Sequence, residues 1–124
     1  MDPMPALTHN QFTVLAALLV GLAWFFLLRN RNRPAPLTRQ QLQDLRHRGA
    51  VILDVRTSRE FAQGHAKGAR NLPLGQLKDR LGELDPGEPV LTCCASGARA
   101  ASARSILLRA GFKEVHNLGS WKGL

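Results

Sequence analysis

Val90-Leu91-Thr92-Cys93-Cys94-Ala95-Ser96-Gly97-Ala98-Arg99, continued by Ala100-Ala101-Ser102-Ala103, is the part of the chain around which the rest is organised. It reads as a short buried strand, a tight loop of small residues, and a helix. Pro89 precedes the strand, where a strand start tolerates proline. Past the loop, Ala103, Ile106, Leu107 and Ala110 recur at i, i+3, i+4 and i+7, one face of a helix. Gly111 follows, where a helix end favours a residue able to turn left-handed.

A cysteine between a strand and a helix start is chemically distinctive. The first N–H groups of a helix lack internal partners, and consecutive amides in a tight turn form an anion cradle. Arg99 adds a permanent positive charge at the loop–helix junction. Each of these favours thiolate over thiol, which makes Cys94 the candidate nucleophile. Ala95, Ser96, Gly97 and Ala98 carry small side chains, so an anion can approach the main chain closely; with Arg99 they form the candidate substrate-binding loop.

Outward from the loop, Leu53-Asp54-Val55-Arg56 ends a continuously apolar segment, residues 50–55, that reads as a strand of a parallel sheet. Asp54 and Arg56 stand at its C-terminal end, where open α/β sheets place functional groups. Ser58 is placed to cap a short helix through Phe61, and residues 64–73 form a long loop. Leu74, Leu77 and Leu81 mark a further helix, with Lys78, Asp79 and Arg80 outward. Residues 113–116 read as the last strand, and Trp121 as a lid on the core. Upstream, Thr38 and Gln41 have capping-box spacing, Leu42 and Leu45 face the core, and Gly49 closes that helix. His65 reads as a structural hydrogen-bonding residue.

The loop resembles that of rhodanese-like sulfurtransferases, of form C-x-S-G-x-R, here Cys94 to Arg99. Two further motifs extend the resemblance. Asp54-Val55-Arg56, Glu60-Phe61 and Gly64-His65-Ala66-Lys67-Gly68-Ala69-Arg70-Asn71-Leu72-Pro73 match the family's D-x-R, E-F and G-H-x-x-G-A-x-N-x-P series. Ala110-Gly111-Phe112, Val115 and Asn117-Leu118-Gly119 resemble its closing strand, with Ser120 where a second glycine is usual. The resemblance implies an α/β fold over residues 37–124, a parallel sheet with helices on both faces. It also implies transfer of a sulfane sulfur from an anionic donor such as thiosulfate to a thiol or cyanide, through a persulfide on Cys94. Asp54 and Arg56 are then supports behind the loop, and neither metal nor cofactor is called for.

The paired cysteines leave a choice. From Cys94 the arginine follows at C-x4-R, the sulfurtransferase spacing; from Cys93 it follows at C-x5-R, that of cysteine phosphatases and some arsenate reductases. The retained Ser96-Gly97 pair, the place of Cys93 in the apolar strand, and the lack of a histidine before Cys93 favour Cys94. A catalytically idle scaffold at the membrane is the other alternative.

The N-terminal part reads differently. Residues 1–11 form a short polar tail, and residues 12–28 an apolar run in which only Thr13 is polar. As a helix this run spans roughly 25 Å, the short end of what crosses a bilayer. Trp24, Phe25 and Phe26 sit near its end and Arg29, Arg31 and Arg33 follow, a stop-transfer pattern rather than a cleaved leader. Residues 29–36 are a basic, proline-containing linker. The positive-inside bias places the N-terminus outside and the domain in the cytoplasm, on a single-pass protein of the inner (cytoplasmic) membrane. The formal charge of +8 accords with anionic lipid or small anions as partners. Nucleic acid is disfavoured: there is no tyrosine, no zinc-finger spacing and no basic run interleaved with aromatics. Two adjacent cysteines form no disulfide framework. The sequence names no protein client.

Overall fold

The computed structural model describes residues 6–31 and 35–124. The chain divides into two compact units, Met1–Ala35 and Pro36–Leu124. Among its described residues the first contains one helix, α1 (His9–Arg31). It begins inside the expected polar tail and outlasts the apolar run, because helical hydrogen bonding continues through polar flanks that lack a breaker. Within it His9–Arg29 has a mean hydropathy of 2.2, long and apolar enough to cross a membrane. Its apolar side chains are exposed on all sides, from Phe12 and Leu15 to Trp24 and Leu28. Pro34, assigned to the linker, lies outside the described residues.

The second unit is built on a four-stranded parallel sheet in the order β2-β1-β3-β4. The strands are β1 (Val51–Asp54), β2 (Arg70–Asn71), β3 (Val90–Cys94) and β4 (Val115–Ser120). Side chains alternate across a strand, so each central strand feeds two cores. On one face Leu53, Val55, Val90 and Cys94 join Leu77 and the inner side of α4 (Ala98–Arg109), through Ala100, Ala103 and Leu107. On the other, Ile52, Leu91 and Cys93 pack with Leu45 of α2 (Arg39–His47), with Leu42, Leu118 and Trp121 at the margin. Both central strands are thus covered on both faces, which is why their sequences are apolar but for the buried Asp54 and Thr92. Trp121 does reach the core, though only as part of what it does.

Local signals explain most boundaries. Thr38 and Gln41 form the reciprocal capping box that opens α2. Gly111, at φ 95°, ends α4 in a conformation costly for any residue with a Cβ. Four features differ from the sequence reading. Residues 64–73, expected as a long loop, contain the edge strand β2, which pairs with β1. The helix α3 (Ser58–Ala62) is capped by Thr57, not Ser58. Thr57 has Glu60 three residues on to complete its box, whereas Ser58 has Phe61 there. The helix expected around Leu74, Leu77 and Leu81 is two 3-10 segments, Leu74–Gln76 and Lys78–Glu83, the second kinked at Arg80. Glycines at 75 and 82 weaken an α-helix, and the leucines at i and i+3 suit the tighter turn. The last strand runs Val115–Ser120 rather than 113–116, because β3 offers it a pairing partner as far as Cys94.

Candidate active site

The site lies at the C-terminal edge of the sheet, where β3 gives way to the loop before α4. Strand alternation separates the two cysteines. Cys93 is fully buried among Leu45, Ile52 and Leu91. Its thiol is pushed up to about 12, by burial first and the nearby Asp54 charge second. Cys94, one residue on, faces α4 and the loop.

The main chain around Cys94 is arranged by glycine. Gly97 takes φ 99° as the N-cap of α4 and offers no side-chain cap, so the first amides of the helix are left for another acceptor. That acceptor is sulfur: the Gly97 N–H donates to Cys94 Sγ at 2.9 Å. Burial pushes the Cys94 thiol up and is the largest single influence. Hydrogen bonds from the amides of Ala100, Ser96, Gly97 and Arg99 together outweigh it, and the thiol sits below its ordinary value. The sequence reading drew the cradle from residues 95–99. In the structure the Gly97 N–H is hydrogen-bonded to the sulfur, and the amides of Ser96, Arg99 and Ala100 also favour its anion.

Three braces hold this arrangement. Asn117 Nδ2 donates to Gly97 O at 3.0 Å, and its Oδ1 accepts from the Gly119 N–H at 2.8 Å. Thr92 Oγ1 donates to Ala100 O at 3.0 Å. The Trp121 N–H donates to Cys94 O at 2.9 Å, tying the end of β4 to the cysteine's own carbonyl. Asn117 and Trp121 carry no local signal that joins them to the site: they lie more than twenty residues from the cysteine, Asn117 in the part of β4 beyond the expected strand and Trp121 just past its end.

Arg99 does not stand free over the loop. Its guanidinium forks onto Glu60 at 2.7 and 3.0 Å, joining α3 to the start of α4. The Arg99 hydrogen bonds first, and the Thr57 amide next, hold the Glu60 carboxyl down at about 2. Glu60 was visible only as part of a motif, with no partner assigned. Asp54 and Arg56 form a buried ion pair, Nη2 to Oδ2 at 2.7 Å, with Nε against both carboxylate oxygens at 3.0 Å. Arg56 also donates to Gly64 O at 2.7 Å and stacks over the Trp121 ring, 4.5 Å from its centroid. His65 stacks on Phe61 and contacts its carbonyl oxygen at 2.9 Å through Nδ1, a local structural contact.

Beside the loop opens a cleft of about 380 Å³, lined by Arg56, Glu60, Gln63, Gly64, Ala95, Trp121 and Lys122. Cys94 is itself buried, but its neighbour Ala95 lines this cleft, and a thiol whose anion the amides favour is chemically suited to attack a small electrophilic or sulfur-donating molecule.

Comparison with known proteins agrees with this geometry. The family described as Rhodanese-like domain matches residues 38–124. An uncharacterized protein of Bacillus subtilis, YqhL, is 42% identical over 72 residues, covering 58% of this chain and 57% of that one. The thiosulfate sulfurtransferase GlpE of Ectopseudomonas mendocina is 39% identical over 79 residues, covering 64% of this chain and 72% of the relative. Among solved structures, a rhodanese with anions from E. coli superposes with a TM-score of 0.57 at 31% identity, over 60% of this chain and 91% of that one. Residues 38–124, with their parallel sheet and cysteine loop, therefore make this chain a member of the rhodanese-like domain family.

Proposed function

We propose that this protein is a sulfurtransferase that carries a sulfane sulfur on Cys94, working from a membrane anchor. The observation that carries the reading is the Gly97 N–H at 2.9 Å from Cys94 Sγ, within a group of four amides that favour the anionic sulfur. In the first step the Cys94 thiolate attacks the outer sulfur of thiosulfate. A new S–S bond forms, the old one breaks, and its electron pair leaves with sulfite. The outer sulfur of the resulting persulfide is anionic, and the same amides stabilise it much as an oxyanion hole holds oxygen. In the second step an acceptor thiolate or cyanide attacks that sulfur, and Cys94 departs as thiolate. The cycle needs no metal, cofactor or external oxidant, and follows a ping-pong course.

In this reading Ala95, Ser96, Gly97 and Ala98 admit the donor because none projects a large side chain into the loop. Arg99 fixes the loop through Glu60. The Asp54–Arg56 pair supports it from behind by fixing Gly64 and Trp121. Burial of Cys93 on the opposite face, with its thiol pushed up to about 12, argues against a nucleophile at that position. The apolar span His9–Arg29 supports a single-pass anchor. The arginines after it favour a cytoplasmic domain and an external N-terminus.

The test uses the full chain in neutral detergent. After thiosulfate is added and removed, intact mass should rise by one sulfur atom. The gain should vanish in Cys94→Ser and persist in Cys93→Ala. No gain in the wild type, or a gain dependent on Cys93, overturns the proposal.

A further inference from the structure

The cleft beside Ala95 has an unequal distribution of charge. Of its lining side chains, Arg56 is committed to Asp54, and Glu60 is committed to Arg99. Each is a neutralised pair. Lys122 is the remaining charged residue of the lining, and it makes no ion pair among the described residues. The Lys122 backbone N–H donates to Ser120 Oγ at 3.2 Å, and the exposed side chain carries its ammonium Nζ to 5.9 Å from the centroid of the Trp121 ring.

The ring itself is fixed. Arg56 lies against it at 4.5 Å, and a Cβ on Gly64 would come within 3.2 Å of its Cη2. The Trp121 N–H in turn holds the carbonyl of Cys94. Trp121 is therefore a rigid wall set from the main chain of the cysteine, and Lys122 is the cation on its rim.

We infer that Lys122 determines specificity at this cleft, drawing anionic molecules toward Cys94 in preference to neutral ones of the same size. The inference rests on Cys94 being the nucleophile of the proposed sulfur transfer. The physical argument is charge accounting. A neutralised pair exerts a field that falls off quickly, whereas a lone ammonium at the mouth of a cleft with low-dielectric walls acts over about a Debye length, near 8 Å in physiological salt. The arginine in the loop, the obvious cation from sequence, contributes little net field because its carboxylate partner is 2.7 Å away.

The experiment separates this inference from the reading beneath it. Cys94 in the full chain is alkylated with iodoacetate, an anion, and with iodoacetamide, its neutral counterpart; neither requires sulfur transfer. In Lys122→Gln the iodoacetate-to-iodoacetamide rate ratio should fall roughly three- to tenfold, and Lys122→Arg should restore it. The ratio in the wild type should decline as salt is raised, and that decline should be shallower in Lys122→Gln. With thiosulfate, Lys122→Gln should raise KM by a similar factor at nearly constant kcat. An unchanged ratio, or equal losses with both reagents, overturns the assignment. If the ratio shifts as expected while thiosulfate leaves no persulfide on the wild type, Lys122 stands as an anion-selecting residue and the sulfur-transfer reading falls.

Discussion

Gly97→Ala tests the thiolate cradle most directly. Gly97 sits at φ 99°, and a Cβ there would meet Gly119 Cα at 3.1 Å. Backbone at that φ costs alanine about 1–2 kcal/mol before any contact is considered. The contact cannot be relieved by rotating a side chain, because Gly119 presents main chain and Asn117 binds both sides of the gap. The loop must instead move away from β4, which draws the Gly97 amide off Cys94 Sγ. A hydrogen bond to a charged group contributes about 1.5–3 kcal/mol, and about 1.4 kcal/mol is a tenfold change in an equilibrium. The expected result is a stability loss of about 1–3 kcal/mol together with a roughly tenfold or greater fall in Cys94 alkylation at neutral pH. Denaturant unfolding and iodoacetamide kinetics on the full chain measure the two. Gly75→Ala is the control, since a Cβ there meets nothing within 4 Å and its φ is not positive. Wild-type reactivity in Gly97→Ala, with or without a loss of stability, would refute the link between this amide and the thiolate.

Other expectations concern the braces. Asp54→Asn leaves the buried Arg56 guanidinium without its carboxylate and should destabilise by about 3–5 kcal/mol in denaturant unfolding, while a loss below 1 kcal/mol would mean the pair is replaceable by solvent. Glu60 has its carboxyl lowered to about 2 in the fold, chiefly by the Arg99 hydrogen bonds, so its contribution is complete above the unfolded value near 4.5. That contribution is lost as pH falls from 4.5 toward 2, and the stability gap between wild type and Glu60→Gln should be flat above this window and close within it. Cys93 behaves oppositely: its folded value near 12 lies above the ordinary 9.0, so the unfolded chain releases this proton first. Wild-type stability relative to Cys93→Ala should therefore decline as pH rises from 9 toward 12; a constant difference would show that Cys93 is not held neutral by burial.

Much of the fold was legible in local pattern. The continuously apolar segments 50–55 and 90–94 announced strands covered on both faces, and Leu45, Leu91 and Leu107 are buried where their periodicity placed them. Thr38 with Gln41, and Gly111 after α4, marked helix ends through contacts within one turn of chain. The separation of Cys93 from Cys94 follows from the two-residue period of a strand, which a sequence displays directly. The errors arose where local signals compete: Ser58 against Thr57 for a cap, and an α-helix against 3-10 turns around Leu77.

Which charges cancel, and which distant segments touch the cysteine, were set by packing alone. Hydrogen-bond and ion-pair partners across a parallel sheet are set by strand order and register, and neither leaves a periodic trace in the chain. Glu60 meets Arg99 across 39 positions, and the main chain at Trp121 reaches Cys94 only because β4 pairs with β3 to its end. Residue types could therefore identify a thiol and a loop suited to hold an anion. Packing determined that the loop arginine is already paired and that Lys122, beside the cleft, has no ion-pair partner among the described residues.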